Sequence, residues 1–448
     1  MRNNIVHPGA DELSYEIREI VEVANRLAKA GMQIYWENIG DPVAKGERVP
    51  DWIKEKVIDV IRNDDSSFAY SPTKGDVEAR EYIVYERNAE GGIRITPDDI
   101  LFFNGLGDAV SKIYEYIHPE VRVIGPNPAY PTHSSAEAAH AGSHHLTYRL
   151  DPYNSWYPDV NDLREKIKNN PAIGGILIIN PDNPTGMVYS LDVISEIVEI
   201  AQEFGLFIVA DEIYSNIRFE GLSESGHGRE GSEHQKLAQV VGDVPAIAMR
   251  GISKEFPWPG GRCGWIEFYN RDRDPVFDRY CRSLVDAKML EVCSTTLPQK
   301  LIPKVMGDER YFPYLQERCA RYERRAQQIV DALADIEGLV VNKANGAFYM
   351  TVMFEAGVLE NAKEIPIKDE QAREIVAPYL TNDHQADKRF VYNLLAATGI
   401  CVVPLSTGFN SDLFGFRITL LERDDKTFEY IIDILKTAIE THIASEYV

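Results

Sequence analysis

Reactive side chains stand where short apolar runs end. Asp211 closes the run 206–210 and is followed by Tyr214. Lys254, preceded by Ser253, comes shortly after the run 246–249, with Arg262 eight residues on. Asn183 opens Asn183-Pro184-Thr185-Gly186, just past the run 176–179. A lysine amine with a disfavoured ammonium form adds to a carbonyl and forms an imine. A carboxylate keeps a heteroaromatic nitrogen protonated, a phenol and an amide bond a ring oxygen, and a guanidinium holds an anion. That set is what a covalently held pyridoxal 5'-phosphate requires, with the ring serving as an electron sink for amino-acid chemistry.

Each of these residues also has a plainer reading. Lys254 alone would be a solvated surface charge, but Ser253, Arg262 and the pair Gly260-Gly261 around it favour a working amine. Asp211 either pairs with the ring nitrogen or caps the segment after it. Tyr214 is otherwise a packing residue and Asn183 a turn former. Gly105-Leu106-Gly107 opens a helix after a strand and offers N–H groups and a positive dipole end to a phosphate, with Ser253 and Arg262 as further partners. It is not a dinucleotide fingerprint, because the third glycine would fall at Val110. Tyr130, beside Pro128 and Pro131, either shapes a turn or presents its ring to a planar cofactor. Arg417, in an apolar run, is either half of a structural ion pair or a two-pronged clamp for a substrate carboxylate. No metal site enters this reading.

The elements that must position these groups alternate between residues 99 and 270. Strands are expected at 100–103, 121–125, 176–179, 206–210, 246–249 and 265–268, with helices between them. Ser190 should cap one helix and Gly205 end it. Strands buried on both faces and separated by helices imply a mostly parallel sheet, which binds ligands at its carboxyl edge. An amphipathic helix is expected over 12–30, with Ile17, Ile20, Val21, Ala24 and Leu27 on one stripe, and another over about 50–62. Later strands are expected at 348–354 and 416–420. Segments 222–240 and 355–390 look like surface insertions.

A chain of 448 residues, 44% hydrophobic, exceeds what one core usually holds, so two domains are expected. The formal net charge of -23 disfavours nucleic acid or an anionic membrane as partner. Five cysteines without a CxxC pair fit a reducing compartment better than a disulfide framework. Residues 1–7 form no apolar signal segment. A soluble cytoplasmic protein is the expectation.

Between about residues 34 and 425 the chain resembles the class I/II aminotransferases of pyridoxal phosphate fold type I, the aspartate aminotransferase superfamily. The motifs recur in the family's order: Asn183-Pro184-Thr185-Gly186, Asp211 with Tyr214, Ser253-Lys254 with Arg262, then Gly346-Ala347-Phe348-Tyr349 and Phe416-Arg417. The resemblance implies an α/β fold, with a mainly parallel seven-stranded sheet in a large domain at 63–305. A small domain would be built from both chain ends, 1–62 and 306–448. It also implies a homodimer with shared active sites, in which Tyr70 reaches the neighbouring subunit's cofactor phosphate and the backbone of Gly40 lies near the substrate carboxylate. Two positions depart from the family pattern. Gly251 stands where a phosphate-binding serine is usual, and Gly107 where the cradle usually has serine or threonine.

The expected reaction is amino-group transfer between an L-amino acid (of alanine, aspartate or aromatic type) and a 2-oxo acid, with glutamate and 2-oxoglutarate as the shared pair. A lyase or decarboxylase on the same scaffold shares the cofactor residues and remains an alternative. A cofactor-sensing regulator would need an appended DNA-binding module, and the segment before Gly40 is short and acidic. Whether Lys45, Arg282 or Lys288 supplies a second cation for a dicarboxylate stays open.

Overall fold

A computed structural model describes residues 5–7, 9–13, 16–219, 236–360 and 362–444. Of the expected insertion at 222–240, positions 222–235 lie outside the described residues, as does the side chain of Ile17. The two-residue strand β1 (Tyr35–Trp36) precedes a large sheet built from eight strands. These are β2 (Ile100–Phe103), β3 (Arg122–Asn127), β4 (Thr147–Asp151), β5 (Tyr157–Pro158), β6 (Ile173–Ile179), β7 (Phe207–Asp211), β8 (Ala246–Gly251) and β9 (Gly264–Tyr269). Their order across the sheet is β2-β9-β8-β7-β6-β3-β4-β5. The run from β8 through β7, β6 and β3 to β4 is parallel, while β9 and β5 run against their neighbours. Seven strands were expected, and the eighth is the short edge strand β5.

Alternation along the central strands explains why they read as unbroken apolar runs. Ile176, Ile178, Ile208, Ala210, Ala246 and Ala248 enter the core on one face. Leu177, Ile179, Val209, Ile247 and Met249 enter the core on the other. With both faces covered, period-two patterning has no polar phase. Helices seal both faces. The one over Leu191–Phe204 starts with Ser190 accepting from the Val193 N–H and ends at Gly205 in the left-handed region, φ 66°.

A third core joins both chain ends. The second sheet contains β10 (Leu339–Val341), β11 (Tyr349–Phe354), β13 (Val403–Pro404) and β14 (Gly415–Thr419), in the order β10-β11-β14-β13 and all antiparallel. Between them in sequence, β12 (Ile400–Cys401) pairs in parallel with β1. Ile20, Ala24 and Leu27 from the N-terminal helix Glu16–Lys29 pack here with Phe390, Phe416, Phe428 and Leu435. The helix Asp51–Asn63 does otherwise: its Ile53 and Val60 belong to the large-sheet core.

The segment 355–390 is more than a surface insertion. Ile365, Ile367, Ala372 and Val376 are buried in this third core, and the Ile365 N–H donates to Asn393 Oδ1 at 2.6 Å. Among the described residues no helix is long and apolar enough to cross a membrane.

Candidate active site

Pairing register brings the chemistry-bearing residues to one edge. Ile179 pairs with Asp211 and Asp211 with Met249, so the ends of β6, β7 and β8 stop level and release Asn183, Tyr214 and Lys254 into the turns beyond. Because β9 runs antiparallel, it starts at this same edge, where Gly264 pairs with both Gly251 and Phe103. Arg262 therefore precedes β9 beside the turn that follows β2.

Lys254 is half-buried, and its Nζ donates to the carbonyl of Gly40 at 2.8 Å. Gly40 is as close to a second residue: a Cβ added there would lie 2.0 Å from the Tyr349 hydroxyl. Tyr349 opens β11 and accepts from the Tyr214 hydroxyl at 3.2 Å. Burial first, then Tyr349, Tyr130 and Asp211, hold the Tyr214 phenol well above its ordinary pKa, so it stays a proton donor. The guanidinium of Arg417, on β14, stacks 4.3 Å from the Tyr349 ring centroid. It donates from Nη1 to Asn183 Oδ1 at 3.2 Å and from Nη2 to the Asn38 carbonyl at 2.6 Å, while its buried Nε has no partner among the described residues. Among the described residues Arg417 is thus tied to neutral acceptors and not to a carboxylate.

Asp211 is buried and doubly held. Its Oδ1 accepts from the Ile213 N–H at 3.1 Å, and its Oδ2 meets His133 Nε2 at 3.1 Å. His133 lies on the helix Pro131–Ala141, its ring between those of Tyr130 and Tyr114 at centroid distances of 6.3 and 6.2 Å. Tyr130 immediately precedes that helix.

Gly105 takes φ +83°, and a Cβ there would come within 2.4 Å of Arg262 Nη2. Only glycine lets the guanidinium approach the start of the helix Leu106–Glu115, whose first N–H groups have no acceptor within the helix. Arg262 itself sits at φ 48°, donating to the carbonyls of Asn104 at 3.3 Å and Pro259 at 3.2 Å. The Ile252 N–H donates to the Cys263 carbonyl at 3.3 Å, which sets Ser253 alongside Arg262. A Cβ at Gly251 would lie 2.9 Å from the Cys263 carbonyl oxygen, so close strand pairing accounts for glycine there. At Gly107 a Cβ would meet nothing within 4 Å, so no steric reason excludes a hydroxyl residue.

Tyr70 does not join this cluster within the chain: it is 82% exposed. Three residues of the cluster escaped the sequence reading. His133 lies on a helix with no motif of its own, Asn38 contributes a backbone carbonyl, and Tyr349 served only as a landmark.

The family model for aminotransferase class I and II matches residues 38–435. The chain belongs to this family. An uncharacterized aminotransferase of Methanocaldococcus jannaschii is 53% identical over 440 residues, covering 98% of this chain and 99% of that protein. The glutamate-pyruvate aminotransferase AlaA of Escherichia coli is 30% identical over 363 residues, 81% of this chain and 84% of that protein. Among solved structures, an aminotransferase from Escherichia coli aligns with TM-score 0.81 at 26% identity, covering 99% of this chain and 100% of that one. An alanine aminotransferase from Pyrococcus furiosus aligns with TM-score 0.79 at 26% identity over 98% and 100%.

As a class I and II aminotransferase the protein uses pyridoxal phosphate and transfers amino groups between amino acids and 2-oxo acids. The residues present fit that cofactor. A half-buried amine faces a single carbonyl, a fixed carboxylate and a protonated phenol lie beside it, and a glycine turn admits a guanidinium at a helix start. The buried Oδ1 of Asn127, at the end of β3, also lacks a partner among the described residues.

Proposed function

We propose that the residues gathered at this edge form the transaminating site, with alanine and pyruvate as one substrate pair and glutamate and 2-oxoglutarate as the other. The observation that carries the reading is the linkage Lys254–Gly40–Tyr349–Arg417. It sets an amine and a carboxylate-binding cation on either side of one tyrosine, each supplied by a different sheet.

Lys254 would hold the cofactor's aldehyde, Asp211 its ring nitrogen, Tyr214 and Asn183 its phenolic oxygen, and Tyr130 the ring face. Gly105, Leu106, Gly107, Ser253 and Arg262 would hold its phosphate. When bound, the cofactor supplies a ring that accepts the electron pair left on the substrate α-carbon. Asp211 keeps the proton on the ring nitrogen, and His133 fixes the angle of that carboxylate. Arg417 orients the substrate: of five N–H donors it spends two on Asn183 and Asn38, leaving Nε and one N–H on each Nη for a carboxylate. Lys254 would also be the base that removes the substrate α-proton. Tyr70 would complete the phosphate site of a second subunit in a cytoplasmic homodimer. Each subunit would divide into a large domain at 63–305, joined by the helix Asp51–Asn63, and a small one from the rest of 1–62 with 306–448.

The preference for a small donor rests on the pairing of three candidate cations for a second carboxylate. Lys45 pairs with Glu37 at 2.8 Å and Glu422 at 3.3 Å, Lys288 with Asp108 at 3.2 Å, and Arg282 with Asp278 at 2.9 Å. None is left over for a second carboxylate. The similarity to glutamate-pyruvate AlaA supports the same pairing.

Mixing purified yellow enzyme with single amino acids tests the reading. Alanine and glutamate should bleach the imine band and yield pyruvate and 2-oxoglutarate, whereas Lys254→Ala should lack the band altogether. A surviving band in that variant, or ammonia or carbon dioxide released without oxo acid, would overturn it.

A further inference from the structure

A second charged cleft lies outside this site. It encloses about 440 Å³ between the loop after Gly46, the helix Tyr311–Leu333 and the turn following β14. Its walls carry four arginines, Arg48, Arg318, Arg321 and Arg423, against two acids, Glu47 and Glu317. In a chain of formal charge -23, such a local excess of cations runs against the overall field.

Glu47 does not consume that excess. Glu47 is saturated: it accepts from the Tyr314 hydroxyl at 3.0 Å, the Tyr322 hydroxyl at 3.1 Å and Arg321 Nη2 at 2.8 Å, and it pairs with Arg318 Nε. Arg318 is only 2% exposed and gives Nη1 to the Glu255 carbonyl, yet its buried Nη2 has no partner among the described residues. Arg321 Nε is likewise buried and unpartnered. Arg423 places Nη1 on the Gly46 carbonyl at 3.2 Å, and Arg48 makes no hydrogen bond or ion pair among the described residues. Buried guanidinium N–H groups left without acceptors are costly, and two such arginines lining one cleft beside two exposed ones make the pattern of an anion site.

We propose that this cleft binds a small oxyanion, the phosphate or carboxylate group of a metabolite, between Arg48, Arg321 and Arg423 over the Arg318 edge. The bound anion would touch the loop that leads from Gly40 and, through Arg318, the backbone one residue past Lys254. The site stands apart from the Arg417 pocket and does not depend on which amino acid is the substrate.

Calorimetric titration of the holoenzyme, freed of excess cofactor, at low ionic strength tests it, with inorganic phosphate and acetate as separate probes. One of the two should bind saturably, and whichever binds tighter identifies the anion class. The exposed pair Arg48→Gln/Arg423→Gln should weaken that binding at least tenfold, while Arg417→Gln leaves it within twofold. No saturable binding of either probe, equal binding in the double variant, or loss in Arg417→Gln alone would overturn the proposal.

Discussion

Lys254 Nζ and the Gly40 carbonyl meet at 2.8 Å although 214 residues separate them in the chain. One stands past the end of β8 and the other in the loop after β1, so this bond ties the large-sheet edge to the N-terminal segment. Gly40 can approach only because it has no side chain, its hypothetical Cβ falling 2.0 Å from the Tyr349 hydroxyl and 3.1 Å from Cζ. Gly40→Ala should therefore lower kcat/KM for the amino donor by about 10–100-fold, roughly 1.4–2.8 kcal/mol. Tyr349→Phe removes the clashing oxygen and should recover part of that loss in the double variant. Strictly additive effects in steady-state kinetics would show that the two residues do not meet.

Arg417 supplies a second prediction. Its guanidinium is anchored by Asn183 and the Asn38 carbonyl and stacked on Tyr349 and Phe409, at 4.3 and 5.0 Å. Lysine keeps the charge but loses the planar fork and the stacking. Arg417→Lys should raise KM for alanine by about 10–100-fold, in keeping with charge-assisted bonds of roughly 1.5–3 kcal/mol. Cofactor absorbance should not change. An unchanged KM would remove Arg417 from carboxylate binding.

How much of this was legible in the sequence follows from where each signal resides. The strands carrying Asp211, Asn183 and Lys254 announced themselves because burial on both faces leaves uninterrupted apolar runs. Strand β4 and the edge strand β5 beside it did not: in Thr147–Asp151 the burial alternates and Arg149 is exposed, so the run is broken. His133 was invisible because its meeting with Asp211 spans 78 residues and depends on β3 lying beside β6 in the sheet order. Asn38 works through its backbone, which no side-chain pattern reports. In 355–390 the charge density hid Ile365, Ile367, Ala372 and Val376, whose spacing follows neither a strand nor one helix.

Behind the site, the buried charges of Glu212, Glu267, Arg87, Lys236 and Arg250 and the half-buried Glu90 balance three against three. Arg250 donates to Glu212 Oε2 at 2.8 and 3.1 Å, and Glu212 Oε1 accepts from the Leu237 N–H at 2.9 Å. Arg250→Met leaves two buried acids without their shared cation and should destabilise the fold by about 3–5 kcal/mol, seen as a lower denaturant midpoint. A loss below about 1 kcal/mol would mean that water reaches the cluster.

Asp182 gives a pH prediction. Fully buried, it offers Oδ2 to the Thr185 N–H at 3.0 Å and hydroxyl at 2.6 Å, while Oδ1 has no partner among the described residues. Burial pushes its pKa from 3.8 up to about 7; the Thr185 bonds oppose the rise and the nearby Asp211 charge adds to it. Between pH 4 and 7 the unfolded chain has released this proton and the folded chain has not. The group therefore subtracts stability progressively as pH rises through that window, levelling off above 7 at about 4 kcal/mol. Asp182→Asn keeps an acceptor for both Thr185 donors and cannot ionise. The variant should match the parent near pH 4 and exceed it by up to about 4 kcal/mol at pH 8 in chemical denaturation. A stability gap that does not change with pH would show that Asp182 is already ionised in the folded protein.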